Sequence, residues 1–295
     1  MRPTQFFLQP VFLALTGAVM ISFSAIFVKL AEVSPTASGF YRVFFGFLFL
    51  LAATLLRGEL RRVPLRQTGL IVFCGITFAL DLFFWHRSIL YIGPGLATII
   101  SNFQVFILTV IGFLFFAEKI LPRFLLAVPL AFIGLLLIIG GNWGTMADDY
   151  KTGIYFGLLT ALCYSAFLLG LRAVQGNGRQ TIFSTLMLIS FCTALFLGGG
   201  MIASGDSFAI PDRTSLLALL ALGLCSQSVG WVMIAGAIHR VRASLIGLIL
   251  LLQPALSFIW DVLIFDRPTD LLNWTGVLLT LSAIYLGSTG KATRS

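Results

Sequence analysis

Ten runs of about twenty residues, each nearly free of charge and bounded by short charged or turn-forming breaks, dominate this sequence. They fall at 10–31, 37–56, 67–87, 94–117, 121–141, 153–173, 180–203, 214–238, 243–265 and 271–289. A helix needs about 20 mostly apolar residues to cross a bilayer, and inside the hydrocarbon it must satisfy its own backbone hydrogen bonds. Ten such helices consume most of the 295 residues and leave only short loops, with no room for a second, soluble domain. With 59% hydrophobic and 10% charged residues and a mean hydropathy of +1.02, a water-soluble fold is excluded. The first run follows Arg2 as a signal peptide would, but it continues to about Val28 and nine more follow, so it reads as a retained helix.

The net charge of +8 does not point to nucleic acid, because the 19 basic residues stand dispersed between apolar runs rather than gathered on one face. Their distribution fits membrane orientation instead. With both termini on one side, that side collects Arg2, Arg57, Arg61, Arg62, Arg66, Lys119, Arg123, Arg172, Arg179, Arg240, Arg242, Lys291 and Arg294. The other side collects Lys29, Arg87, Lys151, Arg213 and Arg267, while Arg42 lies inside a run. Thirteen against five makes the first side cytoplasmic. Residues 58–66 and both termini are therefore expected inside, and residues 142–152 outside. Cys74, Cys163, Cys192 and Cys225 sit in apolar runs without a CxxC pair, which implies neither a disulfide framework nor a zinc site.

The halves of the chain repeat a pattern. TIISNFQVFILTVIGFLFFAEK closes the fourth span and LIGLILLLQPALSFIWDVLIFDR the ninth, with Phe106 to Glu118 spaced like Pro254 to Asp266. Five helices per half is an odd number, so two similar halves, 10–141 and 153–289, must sit upside down relative to each other. The aliphatic run leading through Pro254 to Asp266, and the opening of the second span with Phe40, Tyr41, Arg42 and Phe44, resemble the ten-helix EamA-type members of the drug/metabolite transporter superfamily. The likeness covers nearly the whole chain; half one departs from it with Phe106 in place of the usual proline. Within the superfamily the chain is similar to the YddG-type amino-acid exporters, through Asn102 and Phe103 on the fourth helix, Asp81 on the third and Tyr164 on the sixth. Val105 and Phe106 replace the tryptophan and proline of that branch. The resemblance implies an all-α polytopic protein of the bacterial inner membrane with cytoplasmic termini that exports amino acids, aromatic ones among them.

Polar side chains are costly in the hydrocarbon layer, so each needs a partner in protein, water or substrate. Helical spacing gathers Cys74, Thr77, Asp81, Trp85 and Ser88 on one face of the third span, and Thr98, Ser101, Asn102, Val105 and Thr109 on one face of the fourth. Ser226 and Gln227 mark the eighth span, Gln253, Ser257, Trp260 and Asp261 the ninth, Ser24 the first, and Thr160 and Tyr164 the sixth. These seams are expected to face one cavity. Ser24, Thr98, Ser101 and Thr160 can equally bond their own helix, whereas the amides of Asn102, Gln227 and Gln253 have more hydrogen-bonding sites than a helix backbone satisfies. Ser24, Asp81, Trp85, Ser101, Asn102, Phe103, Tyr164, Gln227, Trp231 and Gln253 are thus candidate substrate contacts. Arg42 and Asp81 lie at matching depths, roughly 9–10 Å from one surface at 1.5 Å per residue, which permits an ion pair; a structural pair and a functional acid stand level. His86 is expected near the outer interface, and Pro254 to kink the ninth span and free a carbonyl one turn earlier.

Two distant histidines, no glycine-rich phosphate loop, no metal-ligand spacing and no nucleophile beside a base leave catalysis without a constellation. No cofactor or metal is implied, and the expected partners are the bilayer and a small-molecule substrate, with the protein acting as a monomer. The reading is alternating-access export of amino acids and related metabolites with broad specificity. The alternative is efflux of cationic drugs, with Asp81 and aromatic rings providing the attraction.

Overall fold

The computed structural model describes residues 3–60, 63–139, 150–176, 181–266 and 268–288. Their regular elements are all helices, with no strand among the described residues. Eight helices are long and apolar enough to cross a membrane, and two shorter apolar helices, Pro122–Ile138 and Leu271–Gly287, fill the fifth and tenth places. The ten expected spans are therefore present. Their ends differ by a few residues, and Arg61, Arg62, Arg179, Arg267 and most of the expected outer loop at 142–152 lie outside the described residues.

Several spans are not single rods. Span one is Pro3–Ser22 and Ser24–Leu30, interrupted at Phe23. Spans three and four share one uninterrupted helical stretch, Leu65–Ser101, followed by Gln104–Phe116. That stretch cannot be straight. A β-carbon on Gly157 would lie 3.0 Å from Ile100 Cβ and 3.2 Å from Ser88 Oγ, whereas a straight helix would hold residues 88 and 100 about 18 Å apart. The chain folds back between them, and two antiparallel spans result. Span eight runs as Arg213–Ala221, then a nine-residue π-helix, Leu222–Gly230, then Trp231–Ile238. Span nine breaks at Leu251 between Ala243–Leu250 and Leu252–Phe265.

Packing follows the repeat. Span one runs along eight and three along six, two meets seven and eight, seven meets three, four meets nine, and five meets ten. A two-fold axis exchanging the halves converts the one–eight pair into six–three and the two–eight pair into seven–three, and returns two–seven, four–nine and five–ten to themselves. This is the pairing of two inverted five-helix repeats. Fourth and ninth spans also end alike, in left-handed residues at Ala117 and Asp266, both with φ of 50°. Backbone contact between helices is closest where glycine permits it. On Gly134 a β-carbon would come within 2.7 Å of the Gly276 carbonyl, and on Gly17 within 2.8 Å of the Gly230 carbonyl. Membrane helices pack through such small residues, so Gly17 and Gly230 are packing positions.

Candidate functional site

The expected polar seams converge on one centre in part. Gln227, in the π-helix, is 2% exposed; its Nε2 donates to Ser190 Oγ at 3.0 Å, and its Oε1 accepts from Arg42 Nε at 3.3 Å. Spans two, seven and eight are joined through that one amide. A π turn carries an extra residue, which changes the direction in which the following side chains point, and such segments cluster at functional sites. Ser228 holds this one in place with a single hydroxyl proton shared between the carbonyls of Gly223 at 3.0 Å and Gly46 at 3.3 Å.

Beside the amide lies an aromatic group that sequence reasoning found only by half. Phe78 stacks on Phe167 with centroids 4.5 Å apart, and Trp231 meets both edge-on at 5.7 and 4.9 Å. Tyr164 approaches Trp231 at 6.3 Å, with its hydroxyl beside the Gln253 amide. The Arg42 guanidinium carbon stands 5.9 Å from the Phe78 ring centre. Asp81, three residues after Phe78 on the same helix face, is 8% exposed. Arg42, Asp81 and Tyr164 lie within one another's electrostatic reach, yet no ion pair joins Arg42 to Asp81. Among the described residues the ion pairs are Lys29–Asp261 and Arg57–Glu59. The Arg42–Asp81 pair permitted by matching depth is not formed, because Arg42 turns to Gln227. Trp231 Nε1 is buried without a partner.

Other candidates are placed elsewhere or are occupied. Ser24 donates to Ile21 O at 2.5 Å, and its oxygen lies 2.8 Å from the Ser226 hydroxyl, from which it accepts, tying spans one and eight. Ser101 and Asn102 both donate to Thr98 O, at 2.9 and 2.7 Å, and so serve their own helix end. Phe103, 39% exposed, packs on Phe106 and Phe132 away from the aromatic group. Trp85 contacts the His86 ring at 5.1 Å. His86 is 9% exposed, with its Cε1 facing Gly39 of span two, so it is buried between helices rather than placed at the interface. Pro254 occupies the third position of Leu252–Phe265, and the break expected from it is present at Leu251. Half one breaks at the matching place, Asn102–Phe103, without a proline.

Four residues escaped sequence reasoning, Phe78 among them because nothing sets it apart from the other phenylalanines of the chain. Gln104 is fully buried, with Nε2 near the Gly247 carbonyl at 3.5 Å and Oε1 unpartnered; an amide directly after an Asn-aromatic pair was the available signal. Ser190 and Phe167 lie on spans that offered no seam or only a short one. All four cysteines are free.

Ten apolar helices as inverted repeats around a buried polar and aromatic centre define a multi-pass membrane protein of the transporter class. The chain belongs to the EamA-like transporter family, which it matches twice, over residues 8–140 and 151–289. It is similar to the probable amino-acid metabolite efflux pump of Escherichia coli K12, 22% identical over 228 residues that cover 74% of this chain and 71% of that one. An uncharacterized transporter of Haemophilus influenzae is 23% identical over 228 residues, covering 75% and 72%. A crystal structure 16% identical in sequence superposes with a TM-score of 0.80 over 94% of this chain and 96% of that chain, a likeness of fold.

Proposed function

We propose that the protein exports amino acids and related small metabolites by alternating access, the halves 10–141 and 153–289 rocking about the centre formed by Arg42, Phe78, Asp81, Tyr164, Gln227, Trp231 and Gln253. It works as a transporter without catalysis, in a bacterial-type inner membrane, with the ends of spans four, six and eight facing the cytoplasm. The observation that carries the reading is the burial of polar groups without a hydrogen-bond or ion-pair partner in the described residues, Trp231 Nε1 and Asp81, among aromatic rings. A packed membrane core gains nothing from such groups, whereas a site that binds a polar solute uses them. The name of the Escherichia coli relative supports the substrate class.

Competition in proteoliposomes tests it. Purified protein alone is expected to drive counterflow of labelled leucine that unlabelled neutral amino acids inhibit and an organic dication does not. Inhibition by the dication alone would favour drug efflux.

A further inference from the structure

The Arg42 guanidinium stands 5.9 Å from the Phe78 ring centre and Asp81 follows Phe78 by one turn on the same helix, and no ion pair joins the two. Gln227 fixes the guanidinium through Nε at 3.3 Å and is itself anchored on the fully buried Ser190. The remaining guanidinium nitrogens and both Asp81 oxygens have no hydrogen bond or ion pair among the described residues. A cation entering alone would answer Asp81 and be repelled by Arg42; an anion alone would do the reverse. A ligand with an ammonium and a carboxylate on one carbon answers both, and the Phe78 ring beside the guanidinium, packed with Phe167 and Trp231, supplies an apolar neighbour for its side chain. We infer that Arg42 and Asp81 form a zwitterion clamp, Arg42 taking the carboxylate and Asp81 the ammonium of an α-amino acid, so that the open pair itself selects the substrate class.

The clamp rests on the proposed amino-acid transport, and blocked analogues separate the two. In wild-type counterflow of labelled leucine, N-acetyl-leucine and leucinamide are each expected to compete at least about tenfold more weakly than leucine. Asp81→Asn is expected to lose leucine counterflow and to erase the discrimination against N-acetyl-leucine in binding; Arg42→Gln is expected to erase that against leucinamide. Equal competition by both analogues in the wild type would overturn the clamp while leaving transport standing. Absence of any leucine counterflow in the wild type would instead remove the reading beneath it.

A second observation stands independently, in the ties between the halves at opposite ends of the bundle. Lys29 on span one lies 4.0 Å from the Phe265 ring centre and 2.9 Å from Asp261. Arg172 on span six lies 5.1 Å from the Phe116 ring centre and donates to the carbonyls of Ile238 and Val241. The two family matches begin 143 residues apart, at 8 and 151, and end 149 apart, at 140 and 289. Lys29 and Arg172 are 143 apart, and Phe116 and Phe265 are 149 apart. They also stand at matching helix ends, Lys29 and Arg172 near the ends of spans one and six, Phe116 and Phe265 as the last residues of Gln104–Phe116 and Leu252–Phe265. Where Asp261 stands in half two, half one has Gly112, and Glu118 Oε2 occupies the space its β-carbon would need, 2.5 Å away. Each end thus sets an acid beside a cation–aromatic pair. The geometry assigns these clusters as the two gates, thin and half-exposed at Lys29, buried at Glu118.

With the native cysteines replaced and Ser24→Cys as reporter, an impermeant maleimide is applied from the Lys29 face. Lys29→Met is expected to raise the labelling rate at least about threefold, by opening the adjacent gate. Arg172→Met, or Glu118→Gln should the first fold poorly, is expected to lower it. Changes of the same sign in both gates, or none, would overturn the assignment, whereas the transport reading is judged by wild-type counterflow.

Discussion

Glu118 shows how much one side chain can do for this architecture. It is 8% exposed and accepts from Ala243 N at 2.6 Å, Ser244 N at 3.3 Å and Ser244 Oγ at 2.7 Å, capping the first turn of span nine from the other half of the molecule. A carboxylate there meets both the free amides and the positive end of the helix dipole. Glu118→Ala is expected to cost about 1–3 kcal/mol, the range for a buried donor left unsatisfied. Glu118→Gln keeps one acceptor and should cost less. An unchanged melting temperature of detergent-solubilised Glu118→Ala would contradict the cap. That an acid ends the span was legible in the repeat; its partner, 125 residues away in sequence, was not. Likewise Gln227 was legible as a costly amide, while its anchor Ser190 was not, since a lone serine on an apolar span looks like one bonding its own helix.

Spans announced themselves because charge and turn residues bracket each apolar run, but their interruptions carried a signal only once. Pro254 marks the break at Leu251; nothing comparable marks Phe23, Asn102–Phe103 or the π turns at Leu222–Gly230. Those are tertiary effects. The π segment is held by Ser228 on the Gly46 carbonyl of another span, and apolar periodicity cannot register a bond from elsewhere. Because half one breaks without proline, Pro254 is not the cause of the bend in general; it withdraws the amide that would otherwise close on a carbonyl one turn earlier. Pro254→Ala is expected to insert normally and retain the bend, with counterflow lowered several-fold as the segment stiffens. Wild-type rates in that variant would show the residue to be merely tolerated there.

Across the whole molecule, the odd number of spans per half and the repeat together implied an inverted pair, and helix pairing and the double family match agree with it. Aromatic packing at the centre was less legible. Phe78 and Phe167 are two of 29 phenylalanines, and only the fold distinguishes a ring buried at the centre from a lipid-facing one. The thirteen-to-five charge asymmetry predicts cytoplasmic termini: a single cysteine placed at Arg62 is expected to resist impermeant thiol reagents applied outside intact cells, and ready labelling would invert the topology. The central claim is that the two halves alternate around a solute. Trans-stimulation in proteoliposomes containing the purified protein alone tests it most directly. Labelled leucine is expected to enter faster, and to accumulate transiently above equilibrium, when unlabelled leucine is preloaded inside; identical uptake by loaded and empty vesicles would contradict the account.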